Sequence, residues 1–156
     1  MKLINGKSIM SSFLLIAIAL SIFSFSKERG GDSYEIYLNG KLLLQQHVLQ
    51  AKAVQNLQLA QGSDNDKIEI YYSHCGQIGK ARNITIKNSQ NQVLKEWHFP
   101  DASSAKSTMS LKVKEVFALQ KNKDGNKLNL YYSSKELPNG RLLASISQTK
   151  GAMANP

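Results

Sequence analysis

The chain has 156 residues, a formal net charge of +9, 42% hydrophobic and 20% charged residues, and a single cysteine. These values exclude a wholly disordered chain and an internal disulfide framework, and they leave room for one modest core. The lysines are spread among strand-like segments, with no basic run interleaved with aromatics. The charge therefore reads as a solvated surface rather than as a nucleic-acid footprint.

Lys2 and Lys7 precede an apolar run from Phe13 to Phe25, broken only by Ser21 and Ser24. The run is shorter than the ~20 residues that span a bilayer. Ser24 and Ser26 supply small residues at the third and first positions before a cut. This predicts a signal peptide over residues 1–26, cleaved before Lys27, and an exported bacterial chain, periplasmic or extracellular. The alternative is an uncleaved N-terminal anchor, the only route to a membrane that the sequence offers. No cysteine ends the apolar run, so lipid attachment has no acceptor there.

Residues 27–33 are polar and read as a flexible lead-in. Tyr34–Leu38 and Lys41–Gln46 flank Asn39-Gly40, which predicts a hairpin with a type I′ turn, since both central residues of that turn need positive φ. Gln45–Gln61 has helix-favouring composition without glycine or proline. Its later part reads as strand, Gln45–Ala53 stays open, and any helix is expected in the Gln45–Ala60 neighbourhood. Lys67–Ser73 alternates apolar and polar residues, passes His74-Cys75-Gly76 and resumes at Asn83–Ile86, the pattern of a hairpin. Asn88–Asn91 is a turn cluster before Val93–Phe99, where Val93, Trp97 and Phe99 share one face.

Leu111, Val113, Phe117 and Leu119 recur at period two and predict a strand, with Glu115 as the dissenting position. Lys127–Ser133 repeats the Tyr-Tyr-Ser pattern, followed by a turn through Pro138-Asn139-Gly140 and a strand over Leu142–Ile146. Residues 148–156 lose all pattern and read as a disordered tail. The sandwich domain is placed at residues 34–147.

Lys67–Ser73 and Lys127–Ser133 match at an offset of sixty, which also pairs Leu57 with Phe117, Leu59 with Leu119 and Asp64 with Asp124. Either two related strand-turn-strand units stack, or two ordinary meander segments share a composition. Short strands with turn signals every ~8–12 residues give the fold class all-β, an antiparallel β-sandwich. Ile70, Tyr72, Leu130, Tyr132 and Trp97 are the expected core, and His74–Lys80 a tolerant surface turn.

Outward Tyr71 and Tyr131 are candidate platforms for a ligand, because a phenol offers an apolar body and a polar tip. His74 and Cys75 are candidate ligands for Cu(I) or Zn(II), although no Cys-x-x-Cys or His-x-x-x-His spacing accompanies them. The remaining histidines, His47 and His98, are distant in sequence. Asp64, Asp66 and Asp124 fall in turns, where aspartate is expected anyway. No nucleophile elbow, phosphate loop or dinucleotide fingerprint is present, and no cofactor is implied.

At Tyr71-Tyr72-Ser73-His74-Cys75-Gly76 and Asn83-Ile84-Thr85-Ile86 the chain resembles small secreted proteins of Bacteroidota-type bacteria with no assigned activity. That resemblance implies export and brings no functional residues. Two functions are carried forward. One is an exported, non-catalytic binding or envelope-associated module whose partner is a protein, glycan or envelope component. The other is a thiol or metal-binding protein centred on His74 and Cys75, with a dimer through Cys75 as a further expectation.

Overall fold

The structure, a computed structural model, describes residues 31–50, 53–60, 65–104, 107–121 and 127–149, all within the unit Gly31–Pro156. The expected signal peptide, most of the lead-in, Asp64, Asp124 and the tail beyond residue 149 lie outside the described residues.

Among the described residues alternation produces nine strands. They are β1 (Ser33–Leu38), β2 (Lys41–His47), β3 (Gln55–Ala60), β4 (Lys67–Ser73), β5 (Arg82–Lys87), β6 (Val93–Phe99), β7 (Met109–Lys112), β8 (Lys127–Ser134) and β9 (Leu137–Thr149). One sheet has the order β2-β1-β4-β7 and the other β3-β9-β8-β5-β6. The protein is an all-β sandwich. Every pairing is antiparallel except β3 with β9, which is parallel and makes the five-stranded sheet mixed. β3 reaches that edge from β2 in the opposite sheet, through a 3-10 turn at Val48–Gln50. Of the open Gln45–Ala53 stretch, Gln45–His47 ends β2 and Val48–Gln50 is the 3-10 turn, while Ala51 and Lys52 lie outside the described residues.

Period two fills the space between the sheets. Ile36, Ile68, Ile70, Ile84, Ile86, Leu128, Leu130, Tyr132 and Ile146 are all buried there. Each such side chain contributes about 1.5–3 kcal/mol of transfer free energy, which in the absence of a disulfide must hold the fold. The Asn39-Gly40 turn forms with φ of 50° and 77°, as the dipeptide requires.

Three expectations change. Leu111 ends in β7, but Val113–Ala118 is a helix, α1, so helix is not confined to the Gln45–Ala60 region. Val113, Val116 and Phe117 are its buried residues, at i, i+3 and i+4, a spacing that competes with the period-two reading over the same stretch. Glu115 is no dissenter; it faces β6, as described below.

The turn after β8 is Lys135-Glu136, and Pro138-Asn139-Gly140 lies within β9, opposite a register irregularity, with Gly140 at φ 66°. Proline without an N–H fits such an irregularity. On β6, Val93 is exposed and Trp97 and Phe99 are only half-buried, because this is an edge strand.

The offset repeat does not extend to a duplicated unit. β4 and β8 correspond, but β5, which follows β4, lies in the opposite sheet, whereas β9 pairs directly with β8. Leu57 and Leu59 lie in β3, while Phe117 is in α1 and Leu119 in the 3-10 turn after it.

Candidate functional site

β4 and β8 face each other across the core and run in the same direction. Tyr72 stacks on Tyr132 with centroids 4.2 Å apart, and two residues further on His74 Nε2 lies 3.2 Å from Ser134 Oγ. Around this step a polar cluster joins the sheets. The Tyr132 hydroxyl is 2.9 Å from His74 Nε2. The Tyr72 hydroxyl donates to Asp32 Oδ2 at 2.8 Å and accepts from Arg141, whose guanidinium also pairs with Asp32 at 3.3 Å. Tyr34 stacks on the far side of Tyr72 and donates to the Leu143 carbonyl.

Burial dominates the electrostatics. It pushes the Tyr72 and Tyr132 phenols above their ordinary range, helped at Tyr72 by the bond to Asp32. It pushes the His74 imidazole down, with Arg141 adding to that and Asp32 and Glu136 opposing it. The neutral ring is therefore the favoured form. With Nδ1–H toward Asp32, 3.9 Å away, Nε2 accepts from a hydroxyl.

Carboxylate, imidazole and hydroxyl occur here in a sequence reminiscent of a nucleophilic triad, but the geometry serves packing. Tyr132 occupies the same ring nitrogen as Ser134, and Asp32 lies beyond hydrogen-bond length of Nδ1. Gly79 closes the cluster from above: a Cβ there would come 2.9 Å from the Tyr132 hydroxyl and 3.3 Å from the His74 ring. The segment carrying Gly79 is tied down on both sides, with Ala102 N–H bonded to the Gly79 carbonyl and Lys135 N–H to the Lys80 carbonyl. His74–Lys80 is therefore not a tolerant surface turn as a whole. Cys75 to Ile78 is exposed, whereas His74 and Gly79 are buried.

Asp32, assigned to the lead-in by sequence, anchors this cluster, and its carbonyl accepts the Val48 N–H. Arg141 and Ser134 were likewise not singled out. Nothing local marks them, because their partners come from other strands.

The structure separates the expected metal pair. His74 turns inward with its ring committed to Tyr132 and Ser134, while Cys75 is an exposed free thiol at the tip of the turn. His47 lies on β2 opposite Ser33, and His98 on β6 is held by Asn83 Oδ1 at 2.6 Å. Among the described residues no group of three or more His, Cys, Asp or Glu is placed to hold a metal ion. Among them, too, no helix is long and apolar enough to cross a membrane.

The two expected platforms lie on opposite outer faces. Tyr131, on the five-stranded sheet, has the Lys87 ammonium 4.4 Å above its ring, which occupies the stacking surface. Tyr71, on the four-stranded sheet, meets Tyr37 edge-to-face at 5.3 Å and 75°.

Around that pair the register builds a checkerboard, with Glu35 opposite Tyr71 and Tyr37 opposite Glu69. Leu42, opposite Tyr37 on β2, is 45% exposed and extends the apolar row. Glu35 accepts from the Tyr37 hydroxyl at 2.8 Å and the Gln45 amide at 3.1 Å, and Glu69 accepts from the Gly40 N–H at 2.9 Å. The bond to Glu35 raises the Tyr37 phenol's pKa, so it stays a donor. Tyr37, Glu35 and Glu69 could have been found from the sequence as the outward positions of the first hairpin and the Tyr-Tyr-Ser strand.

The chain matches no protein-family model and no curated protein.

Proposed function

We propose that the chain is an exported, non-catalytic β-sandwich module that holds a partner on the outer face of its four-stranded sheet. The observation that carries this reading is the Tyr37–Tyr71 pair with exposed Leu42 beside it, set between two carboxylates already oriented by the protein's own donors. A solvated sheet face has no need of an aromatic and aliphatic row, and amphipathic rings of this kind favour interfaces. The polar cluster between the sheets supports the non-catalytic part, since its imidazole and hydroxyls are spent on each other beneath Gly79.

Fractionation of cells exporting the protein tests this. The wild-type chain is expected with the envelope, and a Tyr37→Ser/Tyr71→Ser double variant with an unchanged melting curve is expected in the free exported fraction. An unchanged distribution of the variant, or a wild-type chain wholly in the free fraction, overturns the reading.

A further inference from the structure

Among the described residues the chain carries Asn-Gly twice, at Asn39-Gly40 and at Asn139-Gly140. This dipeptide can react with itself. Glycine has no side chain to shield its backbone nitrogen, and closing that nitrogen onto the preceding asparagine's Cγ makes a five-membered ring. Closure needs a side-chain amide that is able to turn and a glycine N–H that is not held elsewhere. The fold treats the two copies differently.

Asn39 is locked. Its Nδ2 donates to Asp66 Oδ1 at 2.9 Å, and its Oδ1 accepts the Lys67 N–H at 2.9 Å. The Gly40 N–H, which would have to attack, donates to Glu69 Oε2 at 2.9 Å. Asn88, followed by serine, is buried and bonded to both Gln90 and Gln92. Asn139 is exposed instead, and its side chain has no hydrogen-bond partner among the described residues. The pairing of β8 with β9 passes from Tyr132 opposite Arg141 to Ser134 opposite Leu137. Pro138, Asn139 and Gly140 therefore have no register partner on either neighbouring strand.

Arg141 follows directly. Its guanidinium holds Asp32 at 3.3 Å and donates to the Tyr72 hydroxyl. The segment ahead of it has little slack against β8, since a Cβ at Gly140 would come 3.2 Å from the Tyr132 carbonyl. A change in main-chain length at residue 139 is thus passed on to the polar cluster.

We propose that Asn139 is a site of spontaneous deamidation in the folded chain, and that its isoaspartyl product loosens the Arg141 hold on that cluster. The Gly140 nitrogen gives its proton to water and bonds to Asn139 Cγ. The Cγ–Nδ2 bond breaks, and the amide nitrogen takes up one proton and leaves as ammonia. The resulting succinimide adds one water. Opening at the main-chain carbonyl leaves isoaspartate, and opening at Cγ leaves aspartate. Water is the only co-reactant, and nothing is oxidised or reduced. Isoaspartate routes the main chain through Cβ and Cγ, which inserts one methylene between Pro138 and Arg141. The inference is independent of the binding-face reading above.

The test incubates the folded chain in mildly alkaline buffer and follows two tryptic peptides by mass, Gly30–Lys41 and Glu136–Arg141. Glu136–Arg141 is expected to gain the difference between water and ammonia at least about tenfold faster, since Asn39 must first break its hydrogen bonds. In urea the two rates are expected to converge. No conversion at Asn139, conversion of Asn39 at the same rate in the folded chain, or an equal difference in urea overturns the site. The aged isoaspartyl fraction is expected to melt below Asn139→Asp, which carries the new charge on an ordinary main chain. Asn139→Ser, incubated alongside, is expected neither to convert nor to lose melting temperature. An isoaspartyl fraction that melts with Asn139→Asp, or a Asn139→Ser chain that loses stability equally on incubation, overturns the assigned effect on Arg141.

Discussion

Tyr72 and Tyr132 stand sixty residues apart in the chain and stack across the sandwich with ring planes 16° from parallel. They occupy equivalent steps of β4 and β8, and the strands leave the stack in the same direction, so His74 arrives over Ser134. The aromatic step and the polar cluster are thus one feature. The stack sets the distance between the sheets, and the hydroxyls at its end fall within reach of the buried imidazole.

Truncating the fully buried ring should therefore be far more damaging than removing its hydroxyl. Tyr132→Ala is expected to cost about 3–5 kcal/mol, a large share of the ~5–15 kcal/mol that holds a small domain together. Tyr132→Phe keeps the stack and leaves Ser134 to serve His74 Nε2, so about 1–2 kcal/mol is expected. Urea denaturation of both variants measures this. Similar small losses in both would show that the stack does not carry the sandwich.

Stability should also fall on mild acidification, and through His74. Burial holds the native imidazole's pKa below the value of about 6.5 that the unfolded chain would show. The unfolded state then binds the proton more readily. The contribution is complete above about pH 6.5 and is lost as pH falls from there through the native value. Glu115 and Glu136, both held below the usual carboxylate range, act in a separate window near and below about pH 4.3. Denaturation midpoints between about pH 8 and 5 should decline for the wild type, with a flatter profile for His74→Gln. Parallel profiles would remove His74 as the cause.

Much of this architecture was legible from period two and turn chemistry. Ile68, Ile70 and Tyr72 on one side and Glu69, Tyr71 and Ser73 on the other follow directly from alternation, as does the Asn39-Gly40 hairpin. What escaped depends on contacts between distant segments. Val113–Phe117 satisfies both strand and helix spacing, and the helix wins where Val113, Val116 and Phe117 can all be buried at once. Asp32 looked like a linker residue because its partners, Tyr72 and Arg141, are 40 and 109 positions away. The parallel contact of β3 with β9 has no local mark either. The site was half legible: Tyr71 was singled out, but its partners come from the register of β1 against β4, which alternation alone does not set.

Cys75 occupies a place where another residue would serve the backbone better. His74 and Gln77 bridge a two-residue turn in which Cys75 and Gly76 have φ of 50° and 84°, nearly the pair seen at Asn39-Gly40. The left-handed region costs an ordinary residue about 1–2 kcal/mol and asparagine less. Cys75→Asn should accordingly raise the thermal midpoint, and Cys75→Ser should leave it nearly unchanged. In the wild-type chain the exposed thiol should react with a thiol reagent at the same rate before and after denaturation, and should permit a dimer band on a non-reducing gel. A thiol silent until unfolding, or a destabilised Cys75→Asn variant, would show that the side chain is engaged.

The last expectation concerns Trp97, which the sequence places in the core and the structure places at its margin. Its ring lies on edge strand β6 under the Lys95 ammonium, 4.6 Å from the centroid, and its indole N–H donates to Glu115 Oε2 at 3.2 Å. The same carboxylate oxygen accepts from Lys95 at 2.8 Å, so one glutamate of α1 closes the open side of the sandwich over β6. Lys95 and Glu115 are both more than a third exposed, and an ion pair in that setting is worth only ~0.2–1 kcal/mol. Trp97→Ala should thus cost less than Tyr132→Ala, because less surface returns to water and less cavity is left.

The hydrogen bond can be isolated by a cycle of Trp97→Phe and Glu115→Ala. Coupling of about 0.5–1 kcal/mol is expected from thermal denaturation of the two single variants and the double variant. Additive losses would mean that α1 covers β6 through Val116 and Phe117 alone, with Glu115 a bystander. A Trp97→Ala variant that unfolds outright would restore the tryptophan to the core that alternation assigned it.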